Sequence, residues 1–357
     1  MVWITTLLVA FCLVAMIFPL FPSNSWLFNI FTYPRIQIIY LQVFTTLVVL
    51  ATFGSEIWAI IFAILMLTNN VLIFRIIRPY THWGQKQLLD LDETVEVQTT
   101  LSLLIWNVYQ FNQKCRPFIQ LVKDKQPDLV LLCETNDWWV EQLQEIKDIY
   151  PYHREVPLEN TYGMCIYARH PLEEISVKSL IKEGVPSIRA TININEKYKI
   201  RMFGVHPIPP YPAYSASKAP KDAELLLIAK EVRAADSPCI VLGDMNDVAW
   251  SNLTTAFQKI SRLLDPRRGR GIMPTFHAKI PLMRIPIDQI FCSSNFRLIG
   301  IERMPAMGSD HFPIFVQLAL TTAALSPEKL KMEQPNKKDW QLSDERIEEG
   351  LAVVSES

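Results

Sequence analysis

Residues able to bind a divalent ion or to move a proton interrupt apolar runs at six places in this 357-residue chain. Leu-Leu-Ile-Trp-Asn107 closes one run with a carboxamide, and Leu-Val-Leu-Leu-Cys-Glu134 closes another with a carboxylate. Phe-Gly-Val-His206 ends on an imidazole, and Ile-Val-Leu-Gly-Asp244-Met-Asn246 carries an acid and an amide two residues apart. Asp288 opens the run Asp-Gln-Ile-Phe-Cys, and Ser309-Asp310-His311 stands just ahead of the last one. Carboxylate and carboxamide oxygens are hard donors that suit Mg²⁺ or Mn²⁺. Imidazoles beside carboxylates suit proton transfer, or contact with a charged phosphoryl oxygen. Taken singly, an Asn or Asp at a strand end is usually a turn or cap residue, and a lone histidine there is usually structural. Six such coincidences, suited to one task, carry the reading. The Cys/His spacing of zinc sites, a P-loop, a GxSxG elbow and a GxGxxG turn are all missing from the sequence.

The elements that must position these side chains are short and mostly extended. Strands are expected at Leu101–Trp106, Leu129–Cys133, Met164–Ala168, Ile188–Ile194, Ile200–Val205, Ile240–Leu242, Ile287–Cys292 and Ile314–Leu318. Helical periodicity covers Arg116–Lys125, Asp137–Tyr150 and Ser217–Ala235. Several strands lie too close together for helical crossovers. The expectation is therefore an α/β (α+β) layered sandwich of two packed sheets flanked by helices, with candidate residues gathered at one edge.

Composition divides the chain. From Met1 to Phe74 only Arg35 and Glu56 are charged, whereas the remainder has ordinary soluble composition. Val2–Phe21, Ile36–Phe53 and Ile57–Phe74 each run about 18–20 residues without a charge, enough to span a bilayer. Residues 1–78 are read as a membrane anchor of about three helices, its last two joined by a tight Gly54-Ser55-Glu56 hairpin. With three spans, Arg35 falls on the side of Arg75, Arg78 and Lys86, which places the soluble part in the cytoplasm at an inner or plasma membrane. Gln37, Gln42, Asn69 and Asn70 are either contacts between helices or residues at the bilayer interface. A polar linker follows over 79–100, the catalytic domain over 101–321, and a charged tail, disordered or weakly helical, over 322–357. The net charge of −1 argues against a broadly basic nucleic-acid surface. Six cysteines with no CxxC spacing read as reduced, mostly buried thiols.

The set Trp-Asn107, Cys-Glu134-Thr, Gly-Asp244-Met-Asn246, Ile-Asp288-Gln-Ile-Phe and Ser309-Asp310-His311-Phe-Pro resembles the endonuclease/exonuclease/phosphatase family. That family includes DNase I-like nucleases, abasic-site endonucleases, inositol polyphosphate phosphatases and neutral sphingomyelinases. The motifs run in the family's order from about residue 101 to 320. The resemblance implies a DNase I-like fold and a membrane-anchored phosphoesterase dependent on Mg²⁺ or Mn²⁺. Its water would attack a phosphodiester or phosphomonoester of a nucleic acid or of a phospholipid or its headgroup. It implies Glu134 as the principal metal carboxylate, with Asn107 and Asp310 near the same ion. Asp244 would orient or deprotonate the water, with Asn246 beside the scissile phosphate. His311 would be the catalytic histidine, polarised by Asp288, and His206 would contact a phosphate oxygen. Arg189 matches an arginine that some members place near the site, or is a solvated strand residue. The Tyr162–Pro171 segment also resembles a family strand and turn, with His170 as a turn residue.

Two further features stand beside the motifs. Arg267-Arg268-Gly-Arg270 is either a phosphate-binding loop, with Arg268 and Arg270 toward substrate, or a solvated one. Pro207, Pro209, Pro210 and Pro212 stiffen the loop after His206. The competing reading is a catalytically silent, membrane-tethered binding or scaffold protein. Retention of Asn107, Glu134, Asp244, Asn246, Asp288, Asp310 and His311 speaks against it.

Overall fold

The structure is a computed structural model that describes all residues except 1, 22, 55, 196, 212–214, 216, 323, 326–332 and 356–357. Pro212, Ser55 and part of the charged tail therefore lie outside the described residues.

Helix α1 (Val2–Ile17) leads through the short α2 (Trp26–Asn29) to α3 (Arg35–Phe53) and α4 (Ile57–Ile77). Among the described residues, α1, α3 and α4 are the three helices long and apolar enough to cross a membrane. Some of their polar residues pair with one another. Buried Gln42 donates to the Cys12 carbonyl at 3.4 Å and accepts from Asn69 at 3.0 Å.

Strand β1 (Val97–Asn107) opens the sandwich. It is followed by α5 (Arg116–Lys125), β2 (Leu129–Cys133), α6 (Asp137–Leu143), β3 (Tyr152–Val156), β4 (Met164–Ala168) and β5 (Leu172–Lys178). The chain continues through β6 (Ser187–Asn195), β7 (Tyr198–Val205), α7 (Ala219–Arg233), β8 (Cys239–Asp244) and α8 (Asn252–Ser261). It closes with β9 (Asp288–Cys292), β10 (Phe296–Arg303), β11 (Ile314–Thr321) and α9 (Lys337–Ser355). A six-stranded sheet runs β10-β11-β1-β2-β4-β3, and a five-stranded sheet runs β5-β6-β7-β8-β9. Only β1–β2 and β7–β8 pair in parallel within them. The layered sandwich expected from the sequence is the fold observed.

Strand alternation explains the layering. Leu103, Ile105, Leu129 and Leu131 meet Ile200, Met202, Ile240 and Leu242 between the sheets. Leu104 and Trp106 turn outward onto Phe118, Val122 and Trp139 of α5 and α6. Phe203, Val241 and Phe291 turn outward onto α7 and α8. Both faces of the central strands are thus buried, which is why they read as unbroken apolar runs. Each such Leu or Ile contributes about 1.5–3 kcal/mol by leaving water. Ser251 caps α8 by accepting from the Thr254 amide at 2.9 Å, and Asn136 caps α6 through the Trp139 amide at 3.2 Å.

Two expectations need correction. The tail is not disordered throughout, because α9 packs along α7 and reaches the outer core with Trp340 and Ile347. Ser343, Ile347 and Gly350 recur on one stripe, and Gly350 lies so close to α7 that a Cβ there would meet Ala223 Cβ at 2.4 Å. Small residues on a charged helix carry little apolar signal, so the segment read as solvated. The 79–100 segment is no free linker either. Leu88 is buried, and the Leu91 amide donates to the Leu298 carbonyl at 2.8 Å, so the chain covers part of β10.

Candidate active site

Register brings the candidates together. Asn107 and Cys133 are partners in the parallel β1–β2 pair, so Asn107 and Glu134 leave the first sheet side by side. Asp244 and Asp288 are register partners across β8–β9. Val205 pairs with Gly243, so His206 emerges beside Asp244. Ile105 faces Ile314, so the Ser309–His311 segment falls across the end of β1. All seven core residues and His206 therefore meet at one edge of the sandwich. Gly243 is required there: its φ is 143°, and a Cβ would lie 2.0 Å from the Val205 carbonyl oxygen. Glu134 and Asn246 hold φ values of 61° and 49°, a left-handed conformation that is costly for Glu and that clusters at functional sites.

Asp244 is the hub. Its Oδ2 accepts from Asn107 Nδ2 at 3.0 Å and lies 3.7 Å from both His206 Nε2 and His311 Nε2. Its Oδ1 accepts from the Asn246 amide at 3.0 Å. Burial alone would raise this carboxyl's pKa, but His311 and His206 outweigh it and hold the group below the usual carboxylate range. His311 shares a proton with Asp288 across Nδ1 and Oδ2 at 2.8 Å. Burial opposes its charge, yet Asp288 and Asp244 push its pKa up to about 10, so the proton resides on the imidazole. His206 goes the other way, because desolvation outweighs Asp244 and lowers its pKa. At neutral pH one imidazole is charged and the other neutral.

Glu134 accepts from Asn107 Nδ2 at 2.8 Å. Burial pushes its pKa up to about 7, the Asn107 and His311 contributions partly offset that, and Asp244 and Asp310 add repulsion. Such a carboxylate is short of positive charge, which a divalent ion would supply, so the donor set fits a hard metal. Asn107 presents its amide nitrogen to both carboxylates, while its Oδ1 accepts from the Tyr109 amide at 3.0 Å. In this arrangement it bridges acids as a donor. Asp244, Asp288 and His311 place ligand atoms within 4.8 Å of one another and could also hold a metal. A protonated His311, however, has no lone pair to give.

The three arginines expected near the substrate are engaged elsewhere. Arg189 on β6 faces α7 and binds Glu231 through two bonds of 2.6 and 3.0 Å. Arg268 packs over the Tyr80 ring at 5.3 Å. Arg270 donates to Asp90 and the Leu88 carbonyl, both at 2.6 Å, and so ties the 79–100 segment down. Asn246 Nδ2 donates to the Pro207 carbonyl at 2.9 Å, which fixes the proline loop after His206. His170 lies 3.5 Å from Asp128, a structural role as expected.

Supporting residues hold these groups in place. Arg267 is buried and donates to the Asp288 carbonyl at 3.2 Å and Gln289 at 2.9 Å. Thr275 Oγ1 accepts from the Asp288 amide at 3.1 Å. Ser309 Oγ donates to the Asn107 carbonyl at 2.8 Å and accepts from the His311 amide at 2.9 Å, clamping the two termini together. Lys221 and Tyr33 both reach the Asn246 carbonyl, at 3.3 and 3.1 Å. Ser309 opens a motif and Arg267 the basic cluster; Tyr33 and Lys221, far away in sequence, carried no such signal.

The family described as Endonuclease/Exonuclease/phosphatase family matches residues 104–311. An endonuclease/exonuclease/phosphatase from Beutenbergia cavernae is similar at 17% identity and TM-score 0.52, over 63% of this chain and 72% of that one. TDP2 from D. rerio, complexed with a single-strand DNA product, is similar at 16% identity and TM-score 0.52, over 62% and 99%. A Bacteroides vulgatus endonuclease/exonuclease/phosphatase gives 17% identity and TM-score 0.50, over 62% and 100%. No curated protein sequence matches.

Proposed function

Since the chain belongs to the endonuclease/exonuclease/phosphatase family, we propose that it is a membrane-anchored hydrolase that cleaves a phosphate ester with the aid of a divalent ion. The observation that carries this reading is the ionised Asp244 carboxylate, 3.7 Å from one charged and one neutral imidazole. Asp244 takes the proton of the attacking water. His311, kept protonated by Asp288, donates a hydrogen bond to the phosphoryl oxygen where charge develops. His206 contacts a second phosphoryl oxygen. Asn246 holds the loop after His206 and positions Asp244 through its amide. Glu134 and Asp310 would hold Mg²⁺ or Mn²⁺, joined by Asn107 if its amide turned; the ion would neutralise phosphate and leaving-group charge. The start of α1 and the Gly54 hairpin lie at the opposite helix ends from the two-sheet domain. Arg35, Arg75 and Arg78 sit at its side, and this supports a cytoplasmic domain on an inner or plasma membrane.

The test uses the full chain in detergent with Mg²⁺, Mn²⁺ or EDTA. Plasmid DNA, abasic DNA, sphingomyelin and inositol phosphates are offered in turn. Metal-dependent turnover is expected, with losses of roughly 10²–10⁴ on Asp244→Asn or His311→Gln. Absence of metal-dependent turnover on every ester would leave the silent-scaffold reading in its place.

A further inference from the structure

The candidate site lies almost against the membrane helices. An apolar cluster joins Ile77 and Tyr80 at the end of α4 to Val248, Trp250 and Ile287 behind the site. Ile36 and Ile39 of α3 pack on the same cluster, and so does Phe276, whose ring stands 5.0 Å from the His311 ring. Hydrogen bonds lock this arrangement. Trp250 Nε1 donates to the Thr32 carbonyl at 3.1 Å, and Gln37, in the first turn of α3, donates to the Arg284 carbonyl at 2.9 Å.

Arg284 closes a loop whose tip is unusually apolar. Ile280 is 43% exposed, Leu282 83% and Met283 53%. Exposed large apolar side chains in a row are costly in water unless something covers them. The bond to Gln37 puts this tip level with the start of a span, where headgroups and upper acyl chains lie. The other end of the same loop is a wall of the site: the Ala278 amide donates to the Asp310 carbonyl at 2.6 Å, and Lys279 lies over the Tyr109 ring at 5.1 Å. Exposed Lys279 and half-buried Arg284, the latter stacked over the Phe312 ring at 5.1 Å, flank the tip with positive charge, the complement of lipid phosphates.

We propose that Ile280, Leu282 and Met283 sink into the bilayer surface, that the site mouth opens there, and that the ester cleaved is the phosphate of a membrane lipid. The substrate part rests on the phosphoesterase reading above; the insertion part does not. A nucleic acid would have to share the mouth with the headgroups to which the loop is anchored.

The six native cysteines are buried, so Leu282→Cys can be labelled selectively with an environment-sensitive dye in the full chain. Reconstituted into phosphatidylcholine–phosphatidylglycerol–sphingomyelin vesicles, the dye should lose at least about half its emission when lipids spin-labelled high on the acyl chain are included. No quenching overturns the insertion. In the same vesicles a lipid phosphate ester should be cleaved. Leu282→Ser combined with Met283→Ser should lower vesicle turnover relative to that of a soluble aryl phosphodiester by about tenfold or more. An unchanged ratio overturns the proposal. Cleavage of plasmid DNA with every vesicle lipid intact overturns the lipid assignment and leaves the phosphoesterase reading standing. No cleavage of any ester overturns both, while the quenching still judges the loop.

Discussion

Replacing Lys221 with methionine should destabilise the two-sheet domain by about 3–5 kcal/mol, the cost of breaking a buried ion pair from one side. Lys221 is buried in the first turn of α7, with Nζ 3.2 Å from Asp247 Oδ2, 3.1 Å from the Tyr33 hydroxyl and 3.3 Å from the Asn246 carbonyl. Burial alone would lower its pKa, but Asp247, Tyr33 and Asp222 outweigh that and hold it charged. Asp222 is also buried, with its Oδ2 3.6 Å from Lys218 Nζ and 4.0 Å from an Arg346 guanidinium nitrogen. Methionine fills similar volume but leaves buried Asp247 without its cation. At about 2–4 °C per kcal/mol for a domain of this size, the unfolding temperature should fall by roughly 6–20 °C. Tryptophan fluorescence of the full chain in detergent reads the shift. Adding Asp247→Asn removes the stranded charge and should restore at least about half the loss. A shift under about 2 °C, or a double variant no more stable than the single one, would refute the reasoning.

Two predictions concern protons. Glu134 titrates near pH 7 in the metal-free protein because it is buried, so a divalent ion must displace its proton. Metal affinity should weaken by up to about tenfold per pH unit below 7, with proton release visible by calorimetry in buffers of different ionisation heat; affinity independent of pH would contradict this. Glu224 is buried on α7, and burial pushes its pKa to about 8 despite Arg189. The folded chain then keeps a proton that the unfolded chain sheds near pH 4.5, so stability is lost as pH rises between those two values. Glu224→Gln should flatten that slope and stabilise the protein at neutral pH by roughly 2–4 kcal/mol, measured by urea unfolding at several pH values.

Much of this site was legible without coordinates because its residues break apolar runs. Asn107, Glu134, Asp244 and Asp288 follow or open strands buried on both faces, and a polar side chain there has few purposes. Strands β5 and β10 were not legible, since neither is buried throughout and both carry charges. Helix α9 was missed for a related reason: its contact stripe is built from Ser343, Ile347 and Gly350, whose value lies in closeness and not in hydrophobicity. Arg189 misled because its residue type suits phosphate, while its direction depends on which face of β6 it occupies. That face packs on α7, where Glu231 binds it.

What the sequence by itself determined was local: three apolar spans, the two-residue and near-four-residue periodicities, and the identities of the chemical groups. Those follow from side-chain chemistry and backbone geometry over a few residues. Tertiary structure alone decided which acid is ionised, which histidine carries the proton, and which arginine is free. Each depends on burial and on partners brought from distant segments, as with Asp244 and Asp288 across a strand pair, or Tyr33 ahead of α3 meeting Lys221 of α7. The nearness of the site to the long apolar helices belongs to the same class. It arises where Ile39, Tyr80 and Phe276, far apart in the chain, pack into one cluster.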